Sequence, residues 1–406
     1  MSRVIILHHV SGQGGGTKSM IDLGVMLSRQ HEVILCIPKN SAETVRLAEE
    51  HGLKCHELNT PIPSLNVFSG APGILSGYFL TRAARFVHTT RLVSEMMSLN
   101  PDIVIFNTFV ITPIAAALPE GVKRIGVVRE TFRPSPLTGL IRKSLNDYCD
   151  GVIYIAKYDM DFIHLDRPKQ LVTPDCLEPR AVVVRDRTAL KKEMGIPEHS
   201  FCALFMGGLT PVMKGLDILL EAAEFLDDGF RIIVAGNINH SALTRRFILT
   251  HLHNPSYARY LNAVRTRLEP LTAAGKVIQT GYVTDISPYM TVCDTVVFPS
   301  TAAHQPRPCI EAGMFYRSVV LSDYEATREY FRDGVNALTF RPKDPRDLAE
   351  KLRFLRDNPE LNRRLSENNY KFSQELHNYA ATRERFVAFL NEVLDSDCHR
   401  SSRRPL

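Results

Sequence analysis

Residues 293–322 read CDTVVFPSTAAHQPRPCIEAGMFYRSVVLS, and they set the frame for the rest of the chain. CDTVVFPS is a short, β-branched apolar run closed by Pro-Ser, the pattern of a buried strand. SVVLS is a second strand-like run. Between them Pro308 suits a first helical position, where its missing N–H would have had no partner, and Glu311 is expected in the first turn, near the positive end of the helix dipole. Arg307, Glu311 and free backbone groups are thereby gathered at the carboxyl end of a strand, where open α/β sheets bind ligands.

The same alternation runs outward in both directions. VIILHH, EVILCI, DIVIFN, RIGVV and GVIYIA are strand-like in the first half, and CALFM, RIIVAG, KVIQTG, DTVVFP, SVVLS and NALTF in the second. Amphipathic or turn-rich segments separate them, which predicts parallel sheets with helices on both faces. A chain of 406 residues is too long for one typical core. The expected fold is α/β, with two Rossmann-like doubly wound domains facing across a cleft. The charged, proline-containing stretch from Pro179 to Ser200 reads as the linker into the second domain. Predicted boundaries are 1–180 for an N-terminal domain and 181–378 for a C-terminal domain. Residues 379–406 are expected to form a helix, apolar at Phe386, Phe389, Leu390 and Leu394, followed by a basic tail.

Composition excludes several classes. The chain is 44% hydrophobic and 23% charged with a formal charge of +5, and no basic stripe or recognition motif points to nucleic acid. Its eight cysteines, at 36, 55, 149, 176, 202, 293, 309 and 398, lack metal-ligand spacing, so reduced thiols in a cytoplasmic protein are expected and zinc is not. The N-terminal apolar run is too short for a secretory signal and reads as a first strand. The uncharged stretch from Leu58 to Thr81 is broken by Pro61, Pro63, Gly70, Pro72, Gly73 and Gly77, so it does not span a membrane. Arg82, Arg85, His88 and Arg91 follow at intervals of three. Two readings of them stay open: a solvated helix face, or peripheral contact with an anionic membrane surface or phosphorylated lipid acceptor.

Three loops carry candidate chemistry. HHVSGQGGGTKSMIDLGVML, residues 8–27, follows the first strand and is expected to open a helix at about Thr17; Gly14, Gly15 and Gly16 would let an anion approach the helix N-terminus. Its spacing is neither a dinucleotide fingerprint nor a Walker loop, and a tight turn without ligand is the alternative. FMGGLTPVMKGLDILLEAAEFL, residues 205–226, places Lys214 just before a helix, where its ammonium can join the helix dipole in holding a diphosphate. An exposed loop lysine is the alternative there. In the third loop, Arg307 and Glu311 either pair across a helical turn or leave the carboxylate to accept hydrogen bonds from a ribose diol.

Together these segments resemble retaining glycosyltransferases of the GT-B fold, family 4, also called group 1. The likeness is strongest between Phe205 and Phe340, in MGGLTPVMKGLDILLEA, VIQTGYVTDISPYMTVCDTVVFPS and CIEAGMFYRSVVLSDYEATREYFRDGVNALTF, and HVSGQGGGTKSMIDLG is similar to the family's N-terminal glycine loop. The resemblance implies transfer of a sugar, with retention, from a UDP- or GDP-linked donor to a saccharide or lipid-linked acceptor, without cofactor or metal. It implies Lys214 as the diphosphate ligand, within a turn that includes Gly208 and Thr210, and Glu311 on the ribose. Gly14, Gly15 and Gly16 would meet the phosphate and the reacting sugar, and Tyr282 and Val283 the base. The chain departs from the family's pattern at Ala303, where a first glutamate usually touches the donor sugar, and at Gly208, where an arginine is usual. Pro306 replaces a backbone donor, and Glu130 is the nearest polar residue to an expected histidine. His304, Gln305 and Arg307 are then the candidates for reading the donor sugar, with Lys214, Arg307 and Glu130 as the catalytic set. The departures leave two alternatives open, a decayed nucleotide-sugar-binding protein and a sugar-nucleotide 2-epimerase of the same fold.

Overall fold

The computed structural model describes residues 1–12, 14–175, 185–209, 212–250 and 254–396. Two compact units divide the chain, one of Met1–Glu178 with His377–Leu406 and one of Pro179–Leu376.

The first unit is built on seven strands: β1 (Arg3–Leu7), β2 (Glu32–Pro38), β3 (Lys54–Leu58), β4 (Ile103–Phe106), β5 (Lys123–Val128), β6 (Gly151–Tyr154) and β7 (Lys169–Val172). They are parallel and lie in the order β3-β2-β1-β4-β5-β6-β7. The second unit holds β8 (Phe201–Met206), β9 (Phe230–Ala235), β10 (Val277–Gly281), β11 (Thr295–Phe298), β12 (Ser318–Ser322) and β13 (Leu338–Phe340). These too are parallel, in the order β10-β9-β8-β11-β12-β13. Helices cover both faces of each sheet, so the central strands are buried throughout: Val4 to Leu7, Ile103 to Phe106 and Val296 to Phe298 have almost no exposed surface. In each unit the strand order reverses once, between β1 and β4 and between β8 and β11. These are the topological switch points, where loops leaving the carboxyl ends diverge and open a crevice for ligands.

Two strands escape the sequence reading. β3 is KCHEL and β7 is KQLV, both edge strands and both largely polar or exposed. Charge on an edge strand discourages pairing with other chains but erases the apolar run that marks a buried strand.

Four helix expectations are corrected. The glycine-loop helix spans Gly15–Ser28 and opens two residues before Thr17. The helix after β11 spans Arg307–Met314, so Pro308 is its second residue and Glu311 falls beyond the first turn. Arg82 to Arg91 do not share one helix, because a 3-10 turn at Ala84–His88 separates helix Gly77–Ala83 from helix Thr89–Met97. The stretch read as a linker contains a helix at Arg187–Glu193, capped by Asp186 and anchored by an Arg187–Asp294 ion pair at 2.6 Å.

The helix Tyr379–Asp395 packs on the first unit through Phe386, Val387, Phe389, Leu390 and Val393. It approaches so closely that a Cβ on Gly151, the first residue of β6, would lie 2.9 Å from Phe389 and from Val393.

Candidate functional site

In the second unit the switch point is closed by two backbone constraints. The turn after β8 ends in a 3-10 segment, Val212–Lys214, and Gly215 caps the next helix, Leu216–Glu224, with φ of 75°. A Cβ there would sit 1.8 Å from the carbonyl oxygen of Pro299, so only glycine allows the turn to rest on the loop leaving β11. The amide of Thr301 then donates to the carbonyl of Met213 at 2.8 Å. Lys214 is thereby fixed beside the segment that leads to Arg307. Its Nζ donates to the Met206 carbonyl at 3.3 Å, at the end of β8.

His304 belongs to the same corner. Its ring lies 4.8 Å from that of Phe298 and its Nδ1 is 3.0 Å from the Ala302 carbonyl. Burial, aided by the charge of Lys214 and opposed by the Ala302 bond, lowers its pKa to about 4. The ring is therefore neutral at pH 7, with its proton on Nδ1 to serve the carbonyl. Nε2 remains a hydrogen-bond acceptor, suited to a hydroxyl group. Gln305 follows and accepts the Arg307 amide at 3.1 Å on its own carbonyl.

Arg307 and Glu311 do pair, Nε to Oε1 at 3.1 Å, with each side chain 17% exposed. The pairing that one reading of these residues expects is thus present. Arg307 opens the helix that follows β11 and Glu311 lies one turn in, where a ligand with hydroxyls could exchange for the guanidinium.

Glycine at 208 has a packing reason. A Cβ at that position would come within 2.1 Å of the Asn237 carbonyl oxygen, so no side chain, arginine included, fits without moving that backbone. Gly236, with φ of 157°, makes the reciprocal approach, and its amide donates to the Gly281 carbonyl at 2.9 Å. Gly281 immediately precedes Tyr282, which is half exposed, and Val283. Gly208, Lys214, Tyr282, Val283, His304, Gln305, Arg307 and Glu311 accordingly share the carboxyl edge of the second sheet. Thr210 lies outside the described residues.

The first unit holds the glycine loop and Glu130. A Cβ at Gly14 or Gly15 would meet nothing within 4 Å, so the protein's own packing does not require glycine at either position. Open space above a helix N-terminus is suited to an anion that approaches the backbone closely. Behind the loop stands a polar network that no sequence pattern announced. Arg129 Nε donates to Asn107 Oδ1 at 3.0 Å, which fixes the amide so that Asn107 Nδ2 donates to the Gly16 carbonyl at 3.2 Å and to His8 Nδ1 at 3.1 Å. His8 must then carry its proton on Nε2, a buried atom without a partner among the described residues. Burial, with the charge of Arg129, lowers the His8 pKa to about 4. Arg129 also pairs with Asp175, whose carboxylate accepts Ser19 Oγ at 2.9 Å and whose carbonyl meets His377 Nδ1. The only sequence signal was the asparagine that ends the buried run DIVIFN.

Glu130 follows Arg129 at the end of β5. The Thr108 hydroxyl lies 2.7 Å from each of its carboxylate oxygens. Burial outweighs this bond and the nearby Arg129 charge, and pushes its pKa up to about 7. Such a carboxyl can hold or accept a proton near neutral pH. Among the described residues no cluster of three or more His, Cys, Asp or Glu is placed to hold a metal, and no helix is long and apolar enough to cross a membrane.

Residues 186–372 match the family described as glycosyl transferases group 1. An uncharacterized glycosyltransferase of Methanocaldococcus jannaschii is 26% identical over 227 residues, 55% of this chain and 55% of that protein. The D-inositol 3-phosphate glycosyltransferase of Geodermatophilus obscurus is 26% identical over 205 residues, 49% of this chain and 42% of that one. The chain spans about half the length of the curated relatives it matches. Among solved structures, Anabaena Alr3699/HepE in complex with UDP-glucose superimposes with a TM-score of 0.74 at 15% identity, over 97% of this chain and 100% of that one. Sucrose-phosphate synthase from Thermosynechococcus elongatus gives 0.71 at 14% identity, over 98% and 100%. Two parallel-sheet Rossmann-like units and the likeness to solved structures give the chain a fold of the GT-B type, and residues 186–372 of its second unit match the glycosyl transferases group 1 family.

Proposed function

We propose that the chain is a glycosyltransferase that moves a sugar from a nucleoside diphosphate sugar to a saccharide or lipid-linked acceptor, with retention of anomeric configuration. The observation that carries this reading is the Thr301–Met213 bond, which puts Lys214 in the corner that also holds His304, Arg307 and Glu311. As the glycosidic bond breaks, negative charge grows on the diphosphate. A preorganised ammonium at a helix start stabilises that charge without reorganising at the moment of reaction. Glu311 takes the ribose hydroxyls once it leaves Arg307, and Arg307 is released towards the diphosphate or a charged sugar. His304 accepts a hydroxyl of the donor sugar through Nε2. In the first unit, Gly14, Gly15 and Gly16 let the donor or acceptor approach the backbone, and Glu130 exchanges a proton with an acceptor hydroxyl. Retention rests on the resemblance of the loops to family 4, and the donor class is supported by the UDP-glucose bound to the Anabaena protein.

The test is a melting-temperature screen with UDP, GDP, ADP and their sugars, followed by transfer assays on the donors that bind. A ligand at a hundred times its Kd stabilises the native state by about 2.7 kcal/mol. One nucleoside diphosphate is expected to raise the melting temperature well above the others. No shift with any of them would end the donor assignment.

A further inference from the structure

We infer that the exposed face of residues 75–91 seats the protein on an anionic lipid bilayer. The segment is two-sided. Phe79, Ala83 and Phe86 pack against the core of the first unit, while Leu75, Leu80 and Val87 turn outward at 86%, 52% and 81% exposure. Tyr78 is also exposed, with Arg82 4.6 Å above its ring. Large apolar side chains in this number do not gain from facing water.

Charge selects the occupant. From Leu58 to Ser94 the chain carries Arg82, Arg85 and Arg91 and not one Asp or Glu. The 3-10 turn eclipses residues three apart, so it sets Arg85 and His88 in one row beside Val87. Apolar side chains flanked by cations, with no acid among them, match a bilayer interface, which offers apolar depth beneath a negative plane. A neutral protein partner would leave the exclusion of acids unexplained.

The position of the patch gives the contact a use. The charge of Arg82 contributes, after burial and His8, to the lowered pKa of His9, so the patch adjoins the carboxyl end of β1 where the glycine loop begins. A lipid-linked acceptor would then be presented beside the first unit's candidate site. That consequence rests on the transferase reading; the docking itself does not.

The experiment is flotation of the full chain with vesicles of phosphatidylcholine alone and with phosphatidylglycerol added. The protein is expected to float only with the anionic vesicles and to be released as salt is raised. Arg85→Gln and Arg91→Gln should each lower partitioning about fivefold. Leu75→Asp and Val87→Asp should abolish it, with melting temperatures unchanged because both side chains are exposed. Equal flotation on neutral vesicles, binding indifferent to these substitutions, or release by a soluble phosphorylated saccharide would each overturn the bilayer as the occupant. Since no donor sugar is present, flotation can fail while transfer activity stands, and the reverse.

Discussion

Thr301 donates its amide to the carbonyl of Met213 at 2.8 Å, and this bond ties the residue before Lys214 to the loop that becomes the Arg307 helix. Two loops from neighbouring strands on either side of the switch point thus act as one piece. Lys214 is thereby held beside the loop that leads to Arg307, with its Nζ on the Met206 carbonyl.

The first prediction concerns that lysine. Lys214→Ala removes a charge but no core packing, so turnover should fall by about a hundredfold to a thousandfold, or roughly 2.7–4 kcal/mol, with the melting temperature unchanged. Donor affinity should fall less than turnover, because the diphosphate is more negative in the transition state than in the bound donor. Lys214→Arg should recover only part, since a planar fork does not replace a compact ammonium. Steady-state transfer alongside thermal denaturation decides it: a stable Lys214→Ala protein with undiminished turnover takes the residue out of the mechanism.

Glycines separate packing from ligand approach. Gly215→Ala meets the Pro299 carbonyl at 1.8 Å in a left-handed conformation, and it should destabilise by more than the ~1 kcal/mol typical of that backbone strain alone. Gly14→Ala and Gly15→Ala enter open space, so denaturation should scarcely change. If a ligand approaches that backbone, both should lose activity while remaining stable. Full activity in both would leave the loop a simple strand-to-helix turn.

Glu311 makes opposite demands on two partners. With Arg307 across 3.1 Å, Glu311→Gln weakens an internal pair as well as the proposed ribose contact. Calorimetry should show nucleoside diphosphate binding weakened by about 1–3 kcal/mol and inorganic diphosphate binding nearly unaffected. Arg307→Ala should change donor preference or turnover while the protein stays folded, because the guanidinium is no longer there for the diphosphate or a charged sugar. Wild-type kinetics on every donor would reduce the arginine to a helix-surface partner of Glu311.

Most of this architecture was legible because the fold's signal is local. Buried parallel strands are largely apolar runs, and eleven of the thirteen strands among the described residues can be picked out from such runs, the polar edges β3 and β7 being the exceptions. The second unit's site was legible for a related reason: glycines, prolines and single charged residues stand out at strand ends. The first unit's network was not. Asn107, Arg129, Asp175, Ser19 and His377 come from separate loops and helices up to the far end of the chain, and only the tertiary fold brings them together. Gly208 shows the converse, a departure from a familiar pattern that the sequence left unexplained until the Asn237 carbonyl was seen above it.

The last prediction follows from Glu130. Burial raises its pKa from 4.5 to about 7, so over this range the folded protein holds a proton that the unfolded chain has released. Its contribution to stability is full below pH 4.5 and is lost as pH rises through about 7. His8 runs the other way. Its pKa falls from 6.5 to about 4, so its contribution is present above pH 6.5 and is lost as pH falls towards 4. Between these limits the two slopes oppose each other in the wild type. Glu130→Gln deletes the falling component, so urea midpoints of the variant should climb more steeply with pH than those of the wild type from pH 4.5 to about 7. Thr108→Val removes the hydrogen bond that favours the carboxylate, and should move the wild-type fall to higher pH. If Glu130 exchanges a proton during transfer, the pH profile of turnover should carry a limb near 7 that shifts upward in Thr108→Val and vanishes in Glu130→Gln. A stability change without any change in that limb would make Glu130 a buried structural acid, and the acceptor's proton would have to leave by another route.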